Sequence, residues 1–494
     1  MKEKISVYWT RRDFRLRDNP ALTAAIAFAK KENALLLPLF ILEDYMCAGD
    51  PKFQFGYPSR VFLSKTLPEF SSEFPHFALV RGKGAESILK LSKKADIHVF
   101  VNEDVYPDFY TQIKKIQHAG IDIKLFADML TVSKETKTGA GNYYSVFTPF
   151  KKAVWKEFVE VKTFPKVSFS NVSFVSSQKI QELFSKIVEP KEKEIMKCFS
   201  DNKTFTVGKK EYNISELIDR NMKFENWYIS EEGALKHFDS YLKNGMSGYK
   251  DDRDSLEKDK TSRMSLALAW GLVSTRTLKD KIQKYFDAKF ENPFSTSLNQ
   301  GAMHYISELI WREFYKYLFV HNPKLISQEF QEKFRGTVDW VEAHEAHKRF
   351  EAWIQGKTGY PVVDAAMMQL AEEGWMHNRA RMIVASVLTK NLGVDWRWGQ
   401  EYFRATLLDL DEASNNGGWQ WGASVGADPK PIRIFNPYLQ AENYDAHDVY
   451  QKKYLSEEYL ANPPKPIVEH KDARGEALKR YGLSEKKDGD ARDY

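Results

Sequence analysis

The sequence predicts two regions of different fold class: an N-terminal α/β domain with a five-stranded, Rossmann-like parallel sheet, and an all-α C-terminal domain. Three observations support this prediction. Short apolar segments alternate with helical stretches up to about residue 130. Beyond about residue 245, apolar positions recur only at helical spacing. Of the 494 residues, 43% are hydrophobic, which is enough for a large buried core.

Each predicted strand is a short run of β-branched, aromatic or leucine residues. The five runs span residues 5–9, 35–41, 78–81, 98–101 and 123–126. They are almost uniformly apolar, which is typical of strands that helices cover on both faces. Helical stretches between consecutive runs supply the right-handed crossovers that parallel strands require.

The domain boundaries follow from the change in pattern along the chain. The connector between the two domains is polar and rich in charge, and we expect it to contain some helix. The predicted regions are an α/β domain at 1–134, this connector at 135–240, the helical domain at 241–480 and a flexible tail at 481–494.

Charge, cysteine content and hydropathy exclude several classes of protein. Subtracting 68 acidic from 73 basic residues leaves +5, so a nucleic-acid surface would require basic residues to be sorted onto one face. The longest apolar run, residues 34–42, is too short to cross a membrane. With two cysteines, Cys47 and Cys198, and no apolar leader, we expect a cytoplasmic protein without disulfides.

The tryptophans are concentrated in one part of the chain. Indoles are oxidisable and have π faces, so a cluster suits electron transfer to a redox cofactor or stacking on bases. For any single tryptophan, core packing is the alternative. Eight of the twelve lie at positions 311, 340, 353, 375, 396, 398, 419 and 421.

A polar segment precedes a short helical stretch that ends at Gly271. Its residues are Thr261, Ser262, Arg263, Met264 and Ser265. Hydroxyls and free backbone N–H groups at a helix N-terminus favour anions, so the segment is a candidate phosphate or pyrophosphate site. The alternative is an ordinary N-cap.

A first helical segment places Glu308, Trp311 and Arg312 on one face, at spacings i, i+3 and i+4. This combines a hydrogen-bonding carboxylate, a flat apolar ring and a cation. The alternative is a simple ion pair between Glu308 and Arg312 within the helix.

A second helical segment groups Asn378, Arg381 and Met382 on one face, with Trp375 one turn before Arg379. Here the alternative is a solvated arginine face.

Farther along, Asp409 and Asp411 lead into amides and indoles at 415–421 that flank Gly417 and Gly418. Paired glycines allow a backbone to approach a planar ligand closely, although a plain turn uses similar residues.

Metal and hydrolytic motifs are not evident. His344 and His347 are three residues apart, one short of the zinc-protease spacing, and no third ligand is apparent. The sequence also contains no nucleophile elbow, Walker loop or Cys/His zinc spacing. We therefore predict no metal site.

Taken in order, these motifs resemble the photolyase/cryptochrome family, and most closely the class I cyclobutane pyrimidine dimer photolyases. The resemblance spans nearly the whole chain. It rests on WTRRDFRLRDNP at 9–20, FTPF at 147–150 and an almost unbroken match from 358 to 437.

The resemblance implies FAD bound in a bent conformation within the helical domain. It assigns Tyr249, Thr261, Ser262, Arg263, Met264 and Ser265 to the phosphates. The residues around the ribityl chain and the flavin ring would be Arg312, Asn378, Arg381, Asp409, Asp411 and Asn415. Family members that repair DNA carry a neutral amide opposite flavin N5, and Asn415 matches it. Such an amide adds no charge and favours the anionic reduced flavin.

The resemblance also implies which residues transfer electrons to the flavin and which bind the substrate. Trp419, Trp396 and Trp340 match the indole chain that passes electrons to the flavin. Glu308 and Asn378 would hydrogen-bond the dimer between Trp311 and Trp421, with Met382 packed against it. The basic residues expected to contact DNA phosphates are Arg253, Arg379 and Arg433.

The implied reaction is light-driven repair of UV-damaged DNA, single- or double-stranded. An electron passes from the excited reduced flavin to a flipped-out dimer, the ring splits, and the electron returns. We expect a monomer that associates with the nucleoid when it acts. A second, light-harvesting chromophore of folate, deazaflavin or flavin type stays open, because the loop 102–110 does not clearly match the folate pattern.

Three alternatives remain. A cryptochrome-type photoreceptor is one, although about ten polar residues follow the last family-like segment where an extended tail is typical. A (6-4) photolyase is another, but it uses a histidine pair where this chain has Trp375 and Asn378. The third is a flavoprotein or DNA-binding module that has lost repair.

The sequence departs from the family pattern at Leu266-Ala267, where the family usually has Pro followed by an aromatic residue or His.

Overall fold

The computed structural model describes residues 2–47, 55–105, 108–200, 203–224, 227–427 and 432–483. The predicted tail therefore lies outside the described residues from position 484 onward. Five strands form the first sheet: β1 Lys4–Thr10, β2 Leu35–Leu42, β3 Ala78–Arg81, β4 Asp96–Asn102 and β5 Asp122–Phe126. They are all parallel, in the order β3-β2-β1-β4-β5. The predicted Rossmann-like sheet is confirmed.

Helices cover both faces of this sheet, which explains its apolar strands. Trp9 packs on one face with Ile113, whereas Tyr8 faces the other core. That second core continues into the helical region, where Phe62 contacts the Trp270 ring at 5.5 Å. The two regions therefore share buried apolar surface. The helices are α1 Pro20–Glu32, α2 Asp44–Cys47, α3 Tyr57–Ser72, α4 Gly84–Lys94 and α5 Phe109–His118.

The connector contains helices and one element that the sequence analysis did not predict, a β-hairpin. Gly208 and Lys209 both have positive φ, 54° and 66°, as the two central residues of a type I′ turn require. Strands of four residues, with Val207 paired to Lys210, are too short to show a period in the sequence. The elements are α6 Phe147–Glu160, α7 Ser177–Leu183, α8 Glu192–Met196, β6 Thr204–Val207, β7 Lys210–Asn213, α9 Ser215–Asn221 and α10 Glu231–Asn244.

The described residues beyond Asn213 form helices and loops without a named strand, which confirms the helical C-terminal region. A π-helical turn, Val387–Asn391, extends the helix that begins at Asn378. The helices are α11 Tyr249–Asp252, α12 Ser265–Ala269, α13 Thr275–Tyr285, α14 Gln300–His321, α15 Ala343–Ile354, α16 Pro361–Glu373, α17 Asn378–Ser386, α18 Trp396–Thr406, α19 Glu412–Gly422, α20 Pro437–Tyr444, α21 Val449–Tyr454, α22 Glu457–Ala461 and α23 His470–Arg480.

Two helix boundaries differ from expectation. Trp375 does not lie on a helix one turn before Arg379, because α16 ends at Gly374 with φ 60° and α17 begins only at Asn378. The short helix before Gly271 spans only five residues. A side chain at Gly271 is impossible without rearrangement, since φ is 65° and a Cβ would lie 2.0 Å from the Arg12 carbonyl oxygen. This glycine thus brings the two regions into close contact.

The longest helix, α14, has 22 residues but carries Glu308, Arg312, Glu313 and Lys316. In the described part of the chain, no helix combines the length and the apolar character needed to cross a membrane.

Candidate functional site

The centre of the candidate site is an arginine–aspartate pair between α17 and the loop before α19. Arg381 Nη2 donates to both oxygens of Asp409, at 3.0 and 2.8 Å, and its Nε donates to the Met376 carbonyl at 2.8 Å. The Asp409 side chain is almost fully buried. The Nη2 contact with both carboxylate oxygens, together with the Nε bond to the backbone, holds the arginine in one geometry.

A second acid lies two residues on, at the N-cap of α19. Asp411 accepts from Ser414 N at 3.1 Å and pairs with Arg312 at 3.2 Å and Lys316 at 3.5 Å. Burial by itself would raise the pKa of Asp411, but Lys316, Arg312 and Arg12 outweigh it and hold that pKa well below its usual range. The carboxylate is therefore charged at any working pH.

Lys316 is a site residue that the sequence analysis missed. It lies one turn after Arg312 on α14, and that i+4 spacing was the available signal. Burial, together with Arg312, lowers the pKa of Lys316 to about 8, although Asp411 opposes the shift. The site therefore gathers cations around one buried acid.

The alternative considered for Glu308 and Arg312, an ion pair between them within α14, is not formed. Arg312 instead binds Asp411, and its Nη2 donates to the Leu268 carbonyl at 2.8 Å. Glu308 pairs with Arg253 at 2.5 Å. Glu308 and Arg312, which lie on one face of α14, therefore pair with two different residues.

Asn415 lies one turn into α19 from Asp411. Its Nδ2 donates to the Gln400 carbonyl at 3.2 Å, and its buried Oδ1 has no hydrogen-bond partner among the described residues. A buried amide oxygen without a partner is costly, so this atom suits a ligand that carries a donor.

The predicted phosphate segment is held by aromatic and ionic contacts. Ser262 Oγ lies 2.8 Å from the Tyr305 hydroxyl, whose ring is 5.1 Å from that of Tyr249. Ser265 Oγ accepts from Trp375 Nε1 at 3.1 Å. The Thr261 hydroxyl is buried without a partner within the described structure.

The Arg263 side chain is already bound by other residues of the chain and is not free to bind a phosphate. Its guanidinium pairs with Asp259 at 2.5 Å and Glu373 at 2.6 Å, and it lies 4.3 Å above the Trp375 ring. Its backbone has φ 50°, in the left-handed region. We therefore expect this residue, like the buried N-cap Met264, to contribute backbone geometry and not its side chain.

Two of the three predicted electron-transfer indoles are buried close together. A Cβ on Gly399 would lie 2.1 Å from the Trp419 ring, and Trp396 is one turn earlier on the same face of α18. Trp419 Nε1 is buried without a partner among the described residues. Trp340 is partly exposed; its neighbour Val341 bonds Gly393, just before α18.

The predicted DNA-facing residues lie on α14, α17 and α19, at the end of α11 and in the loop between α19 and α20. Asn378 is exposed, and its Nδ2 is 3.7 Å from Met382 Sδ. Arg379 pairs with Asp254 at 2.9 Å and lies 4.1 Å from the Tyr444 ring.

Arg433 lies 5.1 Å from the ring of Trp421. Trp421 also lines a cavity between α14 and α19, with Tyr315 and Gly417. Two of the predicted phosphate contacts, Arg253 and Arg379, are already in ion pairs with acids of this chain.

A second cavity lies between the carboxyl ends of the strands and the helical region. It occupies the place where the strand order reverses between β1 and β4. Five cations and five acids line it, so its wall is strongly polar. The charged lining residues are Arg11, Arg12, Arg15, Arg312, Lys316, Asp13, Glu103, Asp104, Asp128 and Asp411.

His347, one of the two histidines considered above for a metal site, contacts neighbouring aromatic side chains. It hydrogen-bonds the Tyr212 hydroxyl at 2.6 Å and lies 4.7 Å from the Trp398 ring. Within the described ranges, no group of three or more potential ligands could hold a metal ion.

The sequence of this chain matches those of DNA photolyases. A sequence model described as the FAD binding domain of DNA photolyase matches residues 305–462, and one described as DNA photolyase matches residues 6–168. A deoxyribodipyrimidine photo-lyase of Alkalihalophilus pseudofirmus is 31% identical, over 96% of this chain and 97% of that protein.

Solved structures agree with the sequence matches. A class III photolyase of Agrobacterium tumefaciens is 28% identical, with TM-score 0.76, over 98% of each chain. A photolyase of Sulfolobus tokodaii, solved with two FAD molecules, is 26% identical, with TM-score 0.75, over 97% of this chain and 99% of its own.

Proposed function

This chain belongs to the DNA photolyase family, and we propose that it repairs cyclobutane pyrimidine dimers in DNA in a light-dependent reaction. FAD is its cofactor, and the matching FAD-binding domain covers most of the helical region. The observation that carries the proposal is Asn415: a neutral amide, buried, with an oxygen that lacks a partner in the described structure, on the same helix as Trp419.

The residues of the site fit FAD. The hydroxyl of Thr261 and the amide of Asn415 have unsatisfied polar atoms among the described residues, as expected where a polar ligand completes the bonding. Reduced FAD, when bound, would supply a light-excited electron donor. Arg381 and Asp409 would orient the flavin, while the cations around Asp411 would favour its anionic form.

The substrate side fits an apolar, flipped-out lesion. Trp311 and Trp421 offer flat apolar surfaces, and Glu308, about one turn before Trp311 on α14, offers a hydrogen-bonding carboxylate. A dimer is poorly stacked in the duplex, so extruding it costs less than extruding a normal base. Phosphate contacts would come from Arg253, Arg379 and Arg433, with the first two exchanging or sharing their present acid partners.

For the second chromophore we propose the polar cavity between the two regions. It lies at the topological switch point of the sheet, where open α/β sheets bind ligands. The Sulfolobus tokodaii relative, with two FAD molecules, makes a flavin our first choice of pigment. An absorption and action spectrum of the purified protein tests this.

The decisive test is a repair assay. Purified protein with bound FAD, given a reductant and blue light, should restore thymines in a dimer-containing oligonucleotide, and a dark sample should not. An oligonucleotide with a (6-4) photoproduct separates the two repair activities. A protein that holds FAD but leaves the dimer unchanged would contradict the proposal. We expect it to act as a cytoplasmic monomer of the class I type, which sedimentation and localisation can check.

A further inference from the structure

We propose that the connector helix α6 is part of the lesion site, and that Phe147 is the positioning residue that sets the plane of Trp311. The inference deepens the proposed function and rests on it. Its starting point is one contact: the rings of Phe147 and Trp311 are 3.6 Å apart between centroids and only 9° from parallel.

This contact covers one face of the indole. Two rings at that distance are in van der Waals contact over most of their area. The remaining aromatic neighbours of Trp311 approach at steeper angles, with Phe314 at 74° and Tyr315 at 35°. A substrate base can therefore stack only on the face that Phe147 leaves open, and the position of Phe147 decides where that face points.

Helix α6 is itself held against α14, so Phe147 does not move freely. The two helices run antiparallel at this contact. Tyr144 N donates to the Tyr317 hydroxyl at 3.0 Å, ahead of Phe147 in the chain. After it, Phe150 packs on Phe314 at 5.2 Å. Phe147 is partly exposed whereas Phe150 is fully buried, so only Phe147 reaches the surface beside the indole.

The next turn of α6 approaches the polar end of the same site. Lys151 Nζ donates to Ser307 Oγ at 3.0 Å, one residue before Glu308. Burial lowers the pKa of Lys151, although Glu308 opposes the shift. The ammonium also lies over the rings of Trp155, at 5.3 Å, and Phe294, at 5.2 Å. Helix α6 thus contacts α14 on both sides of the lesion-facing residues.

The expected effect is on lesion binding. Without the Phe147 ring, the indole of Trp311 can rotate, and part of the dimer's binding energy is spent on ordering it. We expect Phe147→Leu to weaken dark binding of a dimer-containing oligonucleotide by about 3- to 10-fold, the range for loss of an aromatic pair. The loss should appear in KM more than in kcat, while FAD content and flavin photoreduction stay as in the wild type.

The test uses the full chain with bound FAD and measures binding by fluorescence anisotropy. Phe147→Tyr keeps the ring and should restore wild-type affinity. Phe164→Leu, a similar change at an exposed phenylalanine away from Trp311, is the matched control and should bind normally. In a double-mutant cycle, Phe147→Leu should add little once Trp311→Leu is present, because it acts through that ring.

Two results would overturn the inference and leave the proposed function intact. One is wild-type affinity in Phe147→Leu while the wild type itself binds and repairs the dimer. The other is strict additivity in the cycle. A wild-type protein that holds FAD but binds no dimer overturns the proposed function, and this inference with it.

Discussion

At the scale of single residues, the site depends on charges and polar atoms that burial makes strong. Asp411 keeps its charge because cations surround it, and the Asn415 oxygen lacks a protein partner in the described structure. Lys390 is another buried cation. It is only 1% exposed, and its ammonium donates to the Gly422 carbonyl at the end of α19. Such groups are costly unless compensated, so substituting them gives clear signals.

We expect Asn415→Asp to lower the midpoint potential of bound FAD and to reduce repair. A carboxylate placed where the neutral amide oxygen lies repels the negative charge of the reduced flavin. Spectroelectrochemical titration of the purified variant measures the potential. Asn244→Asp adds the same charge at an exposed position on α10 and should leave the potential unchanged. An unaltered potential in Asn415→Asp would contradict the assignment.

Lys390 should make folding stability depend on pH. Burial, with Arg433 nearby, lowers its folded-state pKa to about 7, whereas an unfolded lysine titrates near 10.4. Between these values the unfolded chain binds more protons, so the free energy of unfolding rises with pH.

From pH 6 to 9 this contribution amounts to about 3 kcal/mol. Lys390→Met should lose that part of the pH dependence in urea unfolding at constant FAD, whereas exposed Lys30→Met should keep it. Equal slopes for wild type and Lys390→Met would contradict the prediction.

At the scale of elements, neighbouring helices bring together residues that are far apart in sequence. Gly399 on α18 makes room for the Trp419 ring of α19, and Trp396 lies one turn away. The loop that carries Trp340 is tied to the start of α18 through Val341 and Gly393. Trp396 and Trp419 are thus buried where two helices pack, and the partly exposed Trp340 lies on a loop tied to one of them.

Trp340→Phe should slow photoreduction of oxidised FAD and spare repair by enzyme that has been reduced beforehand. Phenylalanine is much harder to oxidise than tryptophan, so the path to the surface is interrupted while the substrate side is untouched. Transient absorption under blue light, together with a repair assay on chemically reduced protein, separates the two effects. Equal photoreduction rates would remove Trp340 from the path.

At the scale of the whole molecule, buried ions join the two regions. Asp128, just after β5, accepts from Arg15 and from Arg276 of α13, both at 2.6 Å. Arg276 also reaches Asp18 at 2.8 Å. This network borders the cavity proposed for the second chromophore. The alignment of the two regions therefore depends on a few desolvated charges as well as on apolar contact.

Asp128→Asn should destabilise the protein by about 3–5 kcal/mol at pH 7, since it leaves two buried arginines poorly paired. Burial would raise the pKa of Asp128, but Arg15 and Arg276 lower it to about 2, below the unfolded value of about 3.9. Its stabilisation is therefore complete above pH 4 and lost as the pH falls through 2. Urea unfolding at pH 7 and pH 3 measures both effects.

The exposed Asp122→Asn is the control for this experiment and should change stability little. A wild-type-like stability of Asp128→Asn at pH 7 would show that the network does not hold the two regions together.

Local pattern was enough to predict the five strands and the helical C-terminal region. Alternation of apolar runs and helical spacing are properties of neighbouring residues, so they can be read along the chain. The hairpin at 204–213 was missed because two four-residue strands show no period. Lys316 was overlooked although its helical spacing from Arg312 was visible.

The sequence by itself determined the fold class, the chemistry available and the family resemblance, because these depend on residue type and local order. Only the tertiary structure decided the partners: Arg312 binds Asp411 and not Glu308, Arg263 turns to acids, and Phe147 of the connector stacks on Trp311. Except for Arg263 and Asp259, which are one helical turn apart in sequence, these pairings join residues about a hundred or more positions apart. Their geometry is set by how helices pack, which no local pattern contains.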